Sequence, residues 1–175
     1  MRKSKILLSG GVLLCLVLAG CGSGGNDSGE EDSGKGNVKD VVENLFEDLD
    51  DSQYKALRQT DGQAASDSVT STGLPQWVEE RFKEDMTEEG YASFTGMAFY
   101  EIPAKAYEAH KEMDLEDLDI QKDQDSYEIS GTLNLGSGSD ADTIDIQGTA
   151  QTDDQGLVSY LDISNISEII ENLES

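Results

Sequence analysis

Cationic residues are scarce in this 175-residue chain, which contains 12 lysines and arginines against 37 aspartates and glutamates. Three of the cations, Arg2, Lys3 and Lys5, lie within the first five residues. Because so acidic a surface repels phosphate groups, we expect neither nucleic acid nor anionic lipid headgroups as partners. The charge suits either a cationic partner, such as a basic protein, or simply a highly solvated surface, and we favour the second interpretation.

Histidine and cysteine are nearly absent, with His110, Cys15 and Cys21 as the full set. A zinc or copper site of ordinary nitrogen and sulfur ligands cannot be assembled from so few residues. No serine of the folded part lies in a Gly-x-Ser-x-Gly pattern, and a Ser-His-Asp triad would have to use His110. Since His110 lies in the polar stretch YEAHKEMD, we expect an exposed surface residue. We therefore predict no cofactor, no metal site and no catalytic residue.

An acidic stretch from Asp140 to Asp145 has a partial likeness to a calcium loop. The EF-hand pattern requires an oxygen ligand at its fifth position and glycine at its sixth, where this chain has Ile144 and Asp145. We therefore favour a charged turn that leads into a strand over a calcium site.

The one extended apolar run, from Ile6 to Leu18, is too short to span a membrane. It has 13 residues, whereas a transmembrane helix needs about 20. A basic start, an apolar core and small residues after it are the layout of a secretory signal peptide. A core helix of a cytosolic protein is the alternative, and the position of the run at the N-terminus argues against it.

The run ends in Leu18, and Ala19, Gly20 and Cys21 follow it. These four residues resemble the lipobox of bacterial lipoproteins, in which an aliphatic residue and two small residues precede a cysteine. The resemblance implies cleavage before Cys21 and attachment of diacylglycerol and acyl chains such as palmitate to it. Cys15 would be lost with the signal peptide, so no disulfide could form. An ordinary signal peptide that leaves Cys21 as a free thiol is the alternative.

The predicted organisation has three parts: a signal peptide over residues 1–20, the lipidated cysteine with a flexible tether over residues 21–37, and one acidic domain over residues 38–175. The tether prediction rests on Gly22 to Asn37, which contain no large apolar side chain. We expect lipid to hold the domain at the extracytoplasmic face of the cell membrane.

Hydrophobic periodicity predicts an α+β domain. The residues from Val38 to Leu49 have the apolar face of a helix. Three shorter helices are expected to begin at Ser52 and Thr87 as capping residues and at Pro75 as a first-turn residue. A further helix is expected over Ala104 to Lys111. From Leu115 the period changes to two and predicts four strands. Asn165 and Glu168 resemble a capping box before a short closing helix. N-terminal helices should therefore pack on a C-terminal antiparallel β-meander.

Two segments carry a family resemblance. VVENLFEDLDDSQYKA, from Val41 to Ala56, is similar to the first helix and turn of the nuclear transport factor 2-like (cystatin-like) superfamily. MTEEGYASF, from Met86 to Phe94, resembles a segment of lipoprotein members of that group. The resemblance implies a cone-shaped domain whose cavity is catalytic, holds a ligand or is filled with side chains. A closing helix after Ile163 departs from the family pattern.

Two functions follow as hypotheses. The first is a lipid-anchored, non-catalytic binding or accessory module for a protein partner or a small ligand. The alternative is a small cavity enzyme of the same superfamily, an isomerase or hydrolase, which would need an ionisable residue buried among the aromatic residues. Those residues could line a pocket, but their helical spacing favours the core: Trp77, Phe82, Tyr91, Phe94, Phe99 and Tyr100.

Overall fold

The change of hydrophobic period near Leu115 divides the chain into helices and strands, as predicted. A computed structural model describes residues 32–60, 73–136 and 141–175. The helices before the sheet are α1 Ser33–Leu45, α2 Asp51–Thr60, α3 Gln76–Phe82, α4 Glu88–Gly96, a 3₁₀ turn Phe99–Glu101 and α5 Ile102–Ala109. The strands are β1 Met113–Asp123, β2 Ser126–Leu135, β3 Asp142–Thr152 and β4 Val158–Ile163, and α6 Ile166–Leu173 closes the domain. The predicted α+β class is confirmed.

The four strands form one antiparallel sheet in the order β1-β2-β3-β4, which is a meander. Strict alternation places one set of side chains, including Ile129, Leu133, Ile144 and Ile146, on the buried face. A β-bulge between Glu116 and Asp119 inserts one extra residue into β1. Such a bulge bends its strand and increases the local twist of the sheet.

The helices cover the buried face of this sheet and form one large apolar core with it. Helix α1 contributes Val38, Val41, Val42 and Leu45, each with no exposed surface. The bulkiest fully buried side chains come from the helices and the sheet together, namely Tyr127, Phe46, Phe82 and Phe94. No polar or charged residue is buried in the described ranges. The space between the helices and the sheet is therefore occupied by apolar and aromatic side chains.

Helix α4 packs directly against the edge strand β4. A Cβ atom on Gly90 would lie less than 3.0 Å from the carbonyl oxygen of Val158, so only glycine fits this contact. The predicted N-cap is confirmed, because the Gly90 N–H donates to Thr87 Oγ1 at 2.9 Å. The N–H of Val158 donates to the backbone carbonyl of Asp85 at 2.8 Å. One end of the edge strand β4 is therefore hydrogen-bonded and not left open.

Three local predictions differ from the structure. Helix α1 begins at Ser33 instead of Val38. Helix α2 is capped by Asp50, whose Oδ1 accepts the N–H groups of Ser52 and Gln53, and not by Ser52. Asn165 makes no cap hydrogen bond to α6. A different side chain supplies the cap only at α2. The Asn165 side chain instead binds the backbone of β3, where it donates to the Asp145 carbonyl and accepts from the Gln147 N–H.

Helix lengths can be compared with the thickness of a membrane. In the part of the chain that the structure describes, no helix has both the length and the apolar character needed to cross a bilayer.

Candidate functional site

The residues predicted to direct lipidation are Leu18, Ala19, Gly20 and Cys21. They lie outside the described residues, as does most of the predicted tether. Lipidation of Cys21 and cleavage before it therefore stay predictions from the sequence.

The acidic stretch that has a partial likeness to a calcium loop continues into β3. Asp140 lies outside the described residues, whereas Asp142 and Asp145 lie on β3 itself. Being three positions apart on a strand, their side chains point to opposite faces of the sheet and cannot share one ion. Within residues 32–60, 73–136 and 141–175, no three acidic, histidine or cysteine side chains are grouped to hold a metal ion.

Four of the six aromatic residues lie in the core, as the spacing predicted, whereas Trp77 and Tyr100 are half-buried and pack against it. Phe82, Tyr91, Phe94 and Phe99 are buried, and Phe94 packs on Phe82 with ring centroids 4.5 Å apart. The Tyr91 hydroxyl is buried and has no hydrogen-bond partner among the described residues. Burial raises the pKa of this phenol to about 12, and the nearby Glu79 adds to the effect.

A cleft of about 310 Å³ lies where α1 begins, and we call it the N-terminal cleft. It lies between the β1–β2 and β3–β4 turns, and Asp32, Gly34, Lys122, Tyr127 and Gly156 line it. Tyr127 donates its hydroxyl hydrogen to Asp32 Oδ1 at 2.8 Å, and Lys122 Nζ lies 2.9 Å from Asp32 Oδ2. These contacts fix the first described residues against the sheet.

Close packing in the N-terminal cleft depends on two glycines. A Cβ atom on Gly34 would lie less than 3.0 Å from the Tyr127 hydroxyl, and one on Gly156 would collide with Ser33. Gly156 also has a φ of +86°, which disfavours any other residue there. Asn37 completes the contact by donating to the Gly156 carbonyl at 3.0 Å. The start of α1 is therefore part of the domain.

The electrostatics of the N-terminal cleft favour an ionised Asp32. The hydrogen bond from Lys122 lowers the pKa of this carboxyl most, and the bond from Tyr127 lowers it further. The same contact with Asp32 raises the pKa of Lys122. Both groups are partly exposed, so the pair is screened by solvent.

A second cleft, of about 280 Å³, lies next to the start of β1 and contains the only histidine of the chain. We call it the histidine cleft; Asp48, Leu49, Tyr107, Lys111 and Glu112 line it with His110. His110 ends α5 in a left-handed conformation, with a φ of 56°, and is exposed as predicted. Its imidazole makes no hydrogen bond to another described residue. It therefore lacks the oriented partner that a general base normally has.

The two clefts lie at opposite ends of the sheet. Glu112 immediately precedes β1 in the histidine cleft, and Lys122 lies near the end of β1 in the N-terminal cleft. An 11-residue strand is about 35 Å long at ~3.3 Å per residue. The point at which the chain from the N-terminal segment joins the domain is thus far from the histidine.

Helices α2 and α5 are joined beside the histidine cleft by a polar cluster. The rings of Tyr54 and Tyr107 stack with centroids 4.3 Å apart. Arg58 bridges Glu101 and Glu108 with N–O distances of 3.0 and 2.8 Å. Tyr107 also donates to Asp51, and this bond raises the pKa of the phenol. The charged and hydroxyl groups of this cluster are paired with one another. Their role is therefore to hold α2 against α5.

No protein-family model matches this chain, and neither a curated protein nor a solved structure matches it. Function is accordingly argued from the chemistry of the described residues.

The N-terminal cleft was not predicted from the sequence. Asp32, Ser33 and Gly34 belong to a run of small and polar residues, which is typical of a flexible segment. Their role depends on Tyr127 and Gly156, which are about 100 residues away along the chain. No local sequence signal indicates such a contact.

Proposed function

We propose that this protein is a lipid-anchored, extracytoplasmic surface protein that acts as a non-catalytic binding or accessory module. A protein partner or a small ligand would bind on its surface. The main support is the interior: it is filled by apolar and aromatic side chains, and no charged residue is buried in the described ranges. Groups that can recognise a ligand therefore lie on the outside of the domain.

The arrangement of the N-terminal cleft supports the anchoring part of the proposal. A chain that is lipidated at Cys21 would reach the domain at Asp32, after about ten residues of tether. The contacts of Asp32 with Lys122 and Tyr127 would hold the end of the tether at one end of the sheet. That end would face the membrane, and the histidine cleft at the other end would face away from it.

The alternative, a cavity isomerase or hydrolase of the nuclear transport factor 2-like superfamily, has less support. Such an enzyme needs an ionisable group in contact with a bound substrate. Of the described aromatic residues in the core, Tyr91 has the only hydroxyl that is buried without a partner. Its raised pKa keeps the phenol protonated at neutral pH, so it is not a base there.

In-cell crosslinking of the full-length protein tests the proposed function. Captured partners would be identified by mass spectrometry, with Cys21→Ala as the variant that cannot be lipidated. We expect a specific partner that is captured by the wild type and lost in Cys21→Ala. A matched control, Cys15→Ala, changes a cysteine of the predicted signal peptide and should leave both the anchor and the capture unchanged.

Labelling of the same cells with a palmitate analogue tests the anchor separately. Label on the wild type and on Cys15→Ala, with none on Cys21→Ala, is the expected result. A protein that carries no label, or that captures the same partners without Cys21, would contradict a function at the membrane surface.

A further inference from the structure

The face of the sheet that points away from the helices is polar and uncovered in the described part of the structure. We call it the outer face; it is formed by the side chains that alternate with the core residues along each strand. Most of its members are exposed, and others, among them Thr132, Asn134 and Asp162, are half-buried. They include Glu116 and Asp119 on β1, Glu128 and Thr132 on β2, Asp145 and Thr149 on β3, and Tyr160 and Asp162 on β4.

Strand register aligns these residues in two rows that repeat one pattern. Glu116 pairs with Thr132, which pairs with Asp145, so a threonine on the middle strand has an acid on either side. Each row therefore places its two acids two strands apart, at about 10 Å.

The second row is formed in the same way on the next strands. Glu128 pairs with Thr149, which pairs with Asp162. Asp145 and Thr149 are four residues apart on β3, so the rows are about 13 Å apart along the strands. A cation seated over either threonine would face a carboxylate on each side and a hydroxyl below.

The charge of the outer face is not compensated within the described residues. The ion pairs of the helices and of the two clefts engage Lys39, Lys55, Arg58, Arg81, Lys83, Lys105, Lys111 and Lys122. None of these pairs involves an acid of the two rows. The sequence contains no lysine or arginine after Lys122, so β2, β3 and β4 have no cation of their own.

An exposed aromatic side chain adds a second type of contact for a cation. Tyr160 is 45% exposed and lies on the outer face, two residues from Asp162 on β4. The face of an aromatic ring attracts ammonium and guanidinium groups. Tyrosine is also enriched in protein interfaces. The same charge pattern argues against a second copy of this chain, because two such faces would bring like charges together.

We propose that the outer face is the docking surface for a protein segment that presents lysine or arginine side chains about 13 Å apart, four residues apart when extended. The inference rests on the proposed function of an anchored binding module and identifies its partner by chemistry. The rows supply paired carboxylates for two cations, and Tyr160 supplies an aromatic contact beside the second row.

Peptide binding to full-length protein in neutral detergent micelles tests this surface. The probe is a fluorescent nonapeptide with arginine at positions 1, 5 and 9 and serine or threonine between. The face variant is Glu116→Gln, Asp145→Asn and Asp162→Asn together. The matched control is Asp40→Asn, Glu84→Gln and Glu171→Gln, three exposed acids of the helical side that form no ion pair with a described residue.

We expect the face variant to raise the Kd for the peptide roughly tenfold, because three exposed charge contacts are lost. The control variant has the same change in net charge and should alter the Kd less than twofold. Equal losses in the two variants would mean general attraction to an acidic protein and would overturn the inference. So would equal binding of a peptide of the same composition whose three arginines are adjacent.

Site-specific photo-crosslinking in cells separates this inference from the proposed function. A crosslinker at Thr149 should capture the partner through a segment rich in lysine and arginine, and one at Glu171 should not. Capture from Glu171 alone would overturn the docking surface and leave the binding function standing. No capture from either position or by general crosslinking, with the anchor intact, would refute the binding function itself.

Discussion

Two buried tyrosines differ in the surroundings of their hydroxyl groups, and this difference predicts opposite effects of the same mutation. Tyr91 and Tyr127 are 5% and 1% exposed, so both rings are packed in the core. The Tyr127 hydroxyl donates to Asp32 at 2.8 Å, whereas the Tyr91 hydroxyl has no partner among the described residues. Replacement of each by phenylalanine removes one oxygen atom and leaves the ring. The two variants are therefore controls for each other.

The expected magnitudes follow from the hydroxyl environments. A buried hydroxyl without a partner destabilises the fold by its lost hydration, so we expect Tyr91→Phe to raise the free energy of unfolding by about 1 kcal/mol. A hydrogen bond to a charged group contributes about 1.5–3 kcal/mol, and solvent access to Asp32 favours the lower value. We expect Tyr127→Phe to lower the free energy of unfolding by about 1.5 kcal/mol.

Urea and thermal unfolding of the full-length variants, followed by circular dichroism, measure both changes. For a domain of this size, 1 kcal/mol corresponds to a shift in Tm of roughly 3 °C. The Tm should therefore rise in Tyr91→Phe and fall in Tyr127→Phe. An unchanged urea m-value would show that each variant alters stability without altering the unfolded state.

The pH dependence gives a second readout for Tyr91. Its pKa is raised from 10.0 to about 12, so above pH 10 the unfolded phenol ionises while the folded one does not. The free energy of unfolding should therefore fall between pH 10 and pH 12, and Tyr91→Phe should reduce that fall. The reasoning is refuted if Tyr91→Phe destabilises the protein by about 1 kcal/mol or more, because its hydroxyl would then have a stabilising partner such as water.

Four further variants test the packing and electrostatics of the helices and the N-terminal cleft. Gly34→Ala should lower the free energy of unfolding by about 2 kcal/mol because its Cβ meets Tyr127, whereas Gly36→Ala, which meets nothing, should raise it by about 0.5 kcal/mol. Thr87→Ala should cost about 1 kcal/mol in urea unfolding through loss of the α4 cap. Asp32, whose pKa is lowered, stabilises above its unfolded pKa, so Asp32→Asn should lose less stability in an acid titration below pH 4.

The order of elements could be predicted because the apolar period is strong on both sides of Leu115. Ile144, Ile146, Gly148 and Ala150 alternate without interruption and form β3 as expected. The cap at Thr87 was also predictable, because a threonine before two acids is a local signal. A helix start that depends on distant residues was not predictable. Helix α1 begins at Ser33 because its first turn packs against Tyr127 and Gly156 in the N-terminal cleft.

The two rows of the outer face could not be predicted from the sequence for a different reason. The lack of cations after Lys122 can be read from the sequence, but the two rows require the strand register. Glu116 and Asp119 are three residues apart, which places them on opposite faces of a regular strand. The bulge at Asp117, which has a φ of 51°, brings both to the outer face. A bulge at a non-glycine residue has no reliable sequence signal.

The absence of cations after Lys122 also decides which proteases can cut this domain. Trypsin-like enzymes cleave after lysine or arginine, and residues 123–175 contain neither. The connections between β2 and β3 and between β3 and β4 both lie in this stretch, and exposed connections are the usual places where a protease nicks a folded chain. Strands β2, β3 and β4 and helix α6 therefore contain no cleavage site for trypsin-like proteases, whether the domain is folded or unfolded. Digestion would leave them as one fragment.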